Sequence, residues 1–146
     1  MRTLSLFTLG ILLAAACRST AHDEAAILLL LREQRDAWNA GDVEEFMTRG
    51  YWHSEELVFV SGDSEHNGYD EVLARYRKRY TEGDAEMGQL SFTGLVVTEI
   101  SGGEATATGR WDLDFDRSED IGGGFTLGLR LLPEGWRIVR DETTSD

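Results

Sequence analysis

The chain is poor in cysteine, histidine and basic charge. Its 146 residues include one cysteine, three histidines and 14 Lys+Arg against 27 Asp+Glu, for a formal net charge of −13. A single thiol forms no intrachain disulfide and builds no thiolate zinc site. His22, His53 and His66 show neither HxH nor HExxH spacing, and catalytic zinc needs three close ligands. Asp112-x-Asp114-x-Asp116 has the spacing of a calcium loop, but Arg117 stands where the loop needs glycine. The acidity repels phosphate backbones and so argues against nucleic acid; its simplest reading is solubility. Gly122-Gly123-Gly124 lacks the lysine of a phosphate-binding loop and precedes a strand, so a bulge or edge bend is expected there. No G-x-S-x-G elbow occurs. Neither a metal nor a cofactor is expected.

Long apolar runs are scarce too, apart from the N-terminus. There Arg2 precedes an apolar stretch from Leu4 to Ala16, and Ala14-Ala15-Ala16 leads directly into Cys17. A positive start, a short apolar segment and small residues at the end form the order of an export signal. The stretch is about 13 residues, too short to span roughly 30 Å of hydrocarbon. The small residues before Cys17 resemble the lipobox of bacterial lipoproteins, although Ala14 stands where leucine is preferred. That resemblance implies removal of residues 1–16, lipid attachment at Cys17 and a membrane anchor facing the periplasm. Arg18, rather than an aspartate, follows the cysteine, which favours the outer membrane. Plain secretion after cleavage near Ala21 is the alternative. Residues 17–22 then form the lipidated cysteine and a tether, and 23–144 form one domain.

Within that domain the apolar spacing changes once. Ile27, Leu30, Leu31, Gln34 and Trp38 share one face of a helix over 23–40, with Asp23 or Thr20 as its cap. Gly41 suits the end of that helix, and Asp42 with Glu45 forms a capping box for a second. A strand over 56–61 turns back at Gly62-Asp63-Ser64, and a third helix covers 69–80. From residue 87 the period becomes two. Strands are expected over 87–100, 104–116, 122–132 and 135–142, joined by turns at Ser101-Gly102-Gly103 and Pro133-Glu134-Gly135. Three amphipathic helices are available to cover one face of this sheet, an α+β arrangement.

Particular residues narrow this further. Trp38-Asn39-Ala40-Gly41-Asp42, Phe46, Gly109-Arg110-Trp111, Gly123-Gly124-Phe125-Thr126-Leu127, Arg130 and Gly135-Trp136-Arg137-Ile138-Val139-Arg140-Asp141 resemble the SnoaL-like and DUF4440 branch of the NTF2-like superfamily. The resemblance covers about residues 23–144. It implies a cone: a curved, mostly antiparallel sheet around the first helix, with a pocket at the open end and frequent homodimerisation through the outer sheet face. Relatives use the pocket for isomerisation, cyclisation, dehydration, epoxide hydrolysis or binding alone. The branch often ends its last strand in histidine-aspartate-histidine, where this chain has Arg140-Asp141-Glu142.

Candidate site residues follow. Asp141 is a general base if it is buried among aromatics, where its pKa rises. A solvent-facing or arginine-paired carboxylate at the strand end is the commoner case. Trp38, Tyr51, Trp52, Phe59, Tyr69, Phe92, Trp111 and Phe125 are candidates to line the pocket, with Tyr76 or Tyr69 as a donor to a substrate oxygen. Arg110, Asp112 and Arg130 lie opposite the apolar positions of their strands. They are expected to point outward, with Arg130 beside Asp112 as a cross-strand pair; if they face the pocket, Arg110 is a candidate electrophile. Three functions remain open: binding of a small apolar or amphipathic molecule, a SnoaL-like isomerase, cyclase or hydrolase using Asp141, and a non-catalytic dimeric interaction module.

Overall fold

The computed structural model describes residues 8–146, with side chains from Thr20 onward. The export signal at 1–16 and the lipid-attachment candidate Cys17 lie outside the residues whose side chains are described. Three helices and six strands follow in chain order: α1 (Thr8–Asn39), α2 (Val43–Gly50), β1 (Val58–Ser61), β2 (Ser64–Asn67), α3 (Tyr69–Tyr80), β3 (Gln89–Ser101), β4 (Glu104–Asp114), β5 (Ile121–Leu132) and β6 (Gly135–Thr143). Among the described residues no helix is long and apolar enough to cross a membrane.

Helix α1 starts well before the expected residue 23. No glycine or proline interrupts residues 11–40, and alanine, the best helix former, recurs through the segment. Asp23 is therefore inside the helix rather than at its cap, and its carboxylate accepts a hydrogen bond from the Trp136 indole at 3.3 Å. The face carrying Ile27, Leu30, Leu31, Gln34 and Trp38 is buried. Gly41 ends the helix with φ +80, its N–H bonding to the Trp38 carbonyl while the Asp42 N–H reaches that of Ala37. Asp42 then caps α2 by accepting from the Glu45 N–H at 2.9 Å. The expected capping box is only half made, since the Glu45 carboxylate pairs with Arg49 instead.

The strands form one open, curved sheet in the order β2-β1-β6-β5-β4-β3. All neighbours are antiparallel except β1 and β6, which run parallel. Asn39 fastens α1 to the edge strand. Its amide nitrogen donates to the Leu90 carbonyl at 3.0 Å, and its amide oxygen accepts from the Leu90 N–H at 2.7 Å. The side chain thereby serves as one more rung of backbone pairing. The Trp38 indole adds a bond to the Met87 carbonyl at 3.0 Å.

The register is broken between Thr93 and Val96, between Thr98 and Ser101, and at Gly128–Leu129 opposite β6. Bulges of this kind bend a strand and change which side chains face inward. The bulge or bend expected at Gly122–Gly124 is absent: these residues pair in unbroken register with Asp112, Trp111 and Arg110. The glycines are needed there for close approach. A Cβ on Gly123 would stand 1.9 Å from the Thr144 carbonyl oxygen, because the C-terminal segment runs alongside β5. The Thr144 N–H bonds to the Gly124 carbonyl and the Asp146 N–H to that of Gly122. The core fills the space between the helices and the concave sheet face. Its fully buried members include Ile27, Leu31, Met47, Leu57, Phe59, Val72, Leu129 and Ile138. Each large apolar side chain buried in this way contributes about 1.5–3 kcal/mol.

Candidate functional site

The bulge in β6 determines what the cone contains. Leu129 pairs with Ile138 and Gly128 with Arg140, so Val139 has no partner on β5. Trp136 and Ile138 face the core, and strict alternation from them would turn Arg140 inward and Asp141 outward. The extra residue reverses the phase. Arg140 is exposed and pairs with Glu142, while Asp141 is 6% exposed, between Phe59 of β1 and Leu127 of β5. The commoner expectation of a solvent-facing carboxylate is thereby overturned.

Asp141 meets hydroxyls from two other elements. Tyr51 follows α2 and is held by the bond of its N–H to the Met47 carbonyl and by a bridge to Ile138. Its phenol donates to Oδ2 of Asp141 at 2.6 Å. The Tyr76 hydroxyl, from α3, lies 3.3 Å from that of Tyr51. Oδ1 of Asp141 is buried and has no hydrogen-bond partner. Such an atom needs an explanation, since a buried acceptor left unpaired costs about 1–3 kcal/mol, more when charged.

Burial pushes the Asp141 carboxyl up to about 6, against the opposing pull of the Tyr51 hydrogen bond and the Arg75 charge. Burial together with the Asp141 charge raises Tyr51 well above the ordinary phenol value, and Tyr76 is raised for the same two reasons. Both phenols therefore remain protonated donors at neutral pH. Asp141 is largely ionised at pH 7.5 and close enough to its midpoint to exchange a proton.

These groups border a cavity of about 90 Å³. Of the residues proposed to line it, Trp38, Tyr51, Phe59, Tyr76, Phe92, Trp111 and Phe125 do so. Several meet edge to face, including Trp38 with Tyr76 at 5.9 Å and Phe92 with Phe125 at 5.6 Å between ring centroids. Two proposed residues lie elsewhere. Trp52 is half-buried beneath the Arg130 guanidinium, 5.6 Å from its ring. Tyr69 is buried but stacks on His53, with its hydroxyl 3.3 Å from that of Thr48.

The ionic group is also not part of the cavity. Arg110 bonds Asp112 on its own strand and Asp146 at 2.7 Å, whereas Arg130 lies 3.6 Å from Glu104. The expected pairing of Arg130 with Asp112 does not form, because Arg130 is opposite Glu104 in the register and Asp112 is opposite Gly122. Arg110 is thus removed as an electrophile for cavity chemistry.

Sequence reasoning missed Arg75, Arg79 and Gln34, all of which border the cavity. The two arginines belong to a locally basic helix, with Arg77 and Lys78 between them. Their i, i+4 spacing beside Tyr76 and Tyr80 was the available signal, since it puts all four on adjoining rows of α3. Gln34 is 1% exposed and donates to the Phe46 carbonyl at 3.2 Å. Among the described residues no group of three His, Cys, Asp or Glu side chains is placed to hold a metal ion.

The fold recurs in solved structures. An NTF-2 like protein of unknown function from Shewanella oneidensis MR-1 is 35% identical, with TM-score 0.76, over 83% of this chain and 98% of that one. An NTF2-like superfamily protein from Salmonella enterica aligns at 15% identity and TM-score 0.70, over 85% and 91%. An NTF2-like protein with a cystatin-like fold from Novosphingobium aromaticivorans aligns at 20% identity and TM-score 0.68, over 96% and 91%. The last two are similar in fold alone. No family model matches the chain, and no curated protein matches it.

The position of Asp141 has a consequence for stability. Its folded pKa of about 6 exceeds the ordinary 3.8, so the folded state holds this proton more tightly than the unfolded state. Its stabilising contribution is full below pH 3.8 and is lost as pH rises through about 6. Near pH 7.5 the accumulated loss is about 3 kcal/mol, at 1.36 kcal/mol per pKa unit. Asp141→Asn is expected to match wild type near pH 4 and to be more stable by roughly 1–3 kcal/mol at pH 7.5. Urea unfolding across that range measures the difference; a variant less stable than wild type at pH 7.5 would contradict the assignment.

Proposed function

The chain belongs to the NTF2-like superfamily, whose fold by itself fixes no activity, and from the site we propose that the cone binds a small molecule and presents Asp141 to it as a proton acceptor. The observation that carries this reading is the buried, partnerless Oδ1 of Asp141 at the cavity. Tyr51 occupies the other oxygen and leaves this one for a ligand hydroxyl, amine or acidic C–H. The aromatic wall accepts the ligand's apolar part. Size limits the choice. At about 90 Å³ the cavity is well below the roughly 300–1,000 Å³ of drug-sized clefts, so the buried part of the ligand has only a few non-hydrogen atoms.

Catalysis is the second reading, and the Asp141–Tyr51–Tyr76 chain of hydroxyls and carboxylate favours it. A base near pH 6 beside a protonated phenol suits an isomerase, cyclase or hydrolase of the SnoaL-like kind. Asp141 would take the proton and Tyr76 would donate to the oxygen on which charge develops. We propose the SnoaL-like and DUF4440 branch for the chain; the motif around Trp38–Asp42 and the aspartate Asp141 in the last strand support it.

The test is a titration with neutral fragments of about eight non-hydrogen atoms or fewer, followed by ligand-observed NMR. Fragments with a hydroxyl or amine donor are expected to bind wild type and to weaken by 10-fold or more in Asp141→Asn, as loss of a hydrogen bond to a charged group predicts. Leu127→Trp, which fills the cavity, is expected to abolish binding. The reading fails if no fragment binds or if both variants bind as wild type does.

We also propose that the domain works outside the cytoplasm as a homodimer, anchored through a lipid on Cys17. The Ala14-Ala15-Ala16-Cys17 segment supports the anchor. On protein purified from its own membranes, mass spectrometry is expected to find a lipid-modified N-terminal Cys17, and sedimentation equilibrium a dimer. An unmodified start at His22 would refute the anchor, and a monomer at micromolar concentration would refute the dimer.

A further inference from the structure

Arginine in this protein is normally paired. With 27 acidic residues against 14 basic ones, carboxylates are abundant. Arg35, Arg49, Arg77, Arg110, Arg130 and Arg140 each have one within 4 Å. Among the described residues Arg32, Arg75, Arg79 and Arg137 have no carboxylate within ion-pair distance, and of these Arg75 and Arg79 border the cavity. The guanidinium groups of these two are held differently. Each instead lies over an aromatic ring, Arg75 4.9 Å from the centroid of Phe59 and Arg79 5.3 Å from that of Tyr80. Ring stacking orients a guanidinium while leaving its in-plane N–H donors available. One turn of α3 separates the two residues, so they project side by side, Arg75 half-buried and Arg79 exposed.

We propose that the ligand of the cone is a short monoanionic carboxylic acid, with its carboxylate held by Arg75 and Arg79 and its remaining atoms against the aromatic wall beside Asp141. This rests on the reading of the cone as a ligand site. Charge balance selects the class. Two guanidinium groups and one ionised carboxylate leave a single positive charge, which one carboxylate neutralises; a phosphate dianion would exceed it. A planar carboxylate also matches the forked donors of arginine. The far end of such a molecule reaches the free Oδ1 of Asp141, where a hydroxyl is the fitting group. A short hydroxy acid satisfies both ends within the limited volume.

The experiment compares 4-hydroxybutyrate with its neutral isostere 4-hydroxybutyramide, titrated into the purified protein and followed by NMR chemical shifts. The acid is expected to bind at least 10-fold more tightly than the amide. The Arg75→Met/Arg79→Met double variant is expected to weaken acid binding at least 10-fold and so to erase that preference. Arg75→Lys, which keeps the charge, is expected to retain part of it and controls for folding. Equal binding of acid and amide to wild type overturns the carboxylic-acid inference but leaves the cone as a ligand site. A preference that survives in the double variant overturns the role of the arginines. Failure of both probes, and of the neutral fragments above, would remove the ligand site as well.

Discussion

One added residue in the last strand determines what the cavity contains. Val139 has no partner across from it, and that single step of phase sends Asp141 inward and Arg140 outward. Without the bulge the aromatic cavity would face an arginine from this strand and have no carboxylate. With it, a buried acid is surrounded by rings, held by one phenol and left with one oxygen free. The desolvation that raises its pKa is a cost of the folded state, and the core and the ties to the sheet have to offset it. Functional groups commonly occupy such positions at the expense of stability.

The rest of the fold makes that arrangement possible. Asn39 and Trp38 fasten the end of α1 to the start of β3, while Asp23 receives the indole of Trp136 near the other end of the sheet. The long helix therefore closes one side of the cone along its length. Helix α2 delivers Tyr51 directly from its C-terminal end, and α3 contributes Tyr76 together with the two arginines. Two helices distant in sequence from β6 thus supply the hydroxyl and guanidinium donors near one carboxylate. On the opposite face of the sheet, Arg110, Asp112, Arg130 and Glu104 form exposed ion pairs. Pairs of that kind contribute little stability, typically below about 1 kcal/mol, and they lie apart from the chemistry of the cone.

Much of this architecture was legible in the sequence because it depends on periodicity. Alternation along Trp111–Phe115 and Phe125–Leu131 gave the strands and their inner face, and the spacing from Tyr69 to Tyr80 gave α3 over its full extent. The glycine at 41 and the aspartate at 42 marked a helix end and a helix start, as found. The site was less legible for reasons equally local. A bulge breaks the alternation on which an inside or outside assignment depends, so Asp141 was expected to face solvent. Two of the four basic residues on α3 turn toward the cavity, and composition does not separate Arg75 and Arg79 from Arg77 and Lys78. Cross-strand partners depend on register, so Arg130 met Glu104 rather than Asp112. Tyr69 and Trp52 are aromatic like their neighbours, yet one packs on His53 and the other under Arg130.

The chemistry of the cone depends on a carboxylate that is buried, ionisable and in contact with a phenol. Following the carboxyl ¹³C resonance of Asp141 from pH 3 to pH 9 measures this directly. The predicted result is a single transition with its midpoint near 6, little changed in Arg75→Lys, which keeps the charge, and shifted upward when Tyr51→Phe removes the hydrogen bond. A midpoint near 4, unchanged by Tyr51→Phe, would show a solvated side chain and contradict the structure of the site.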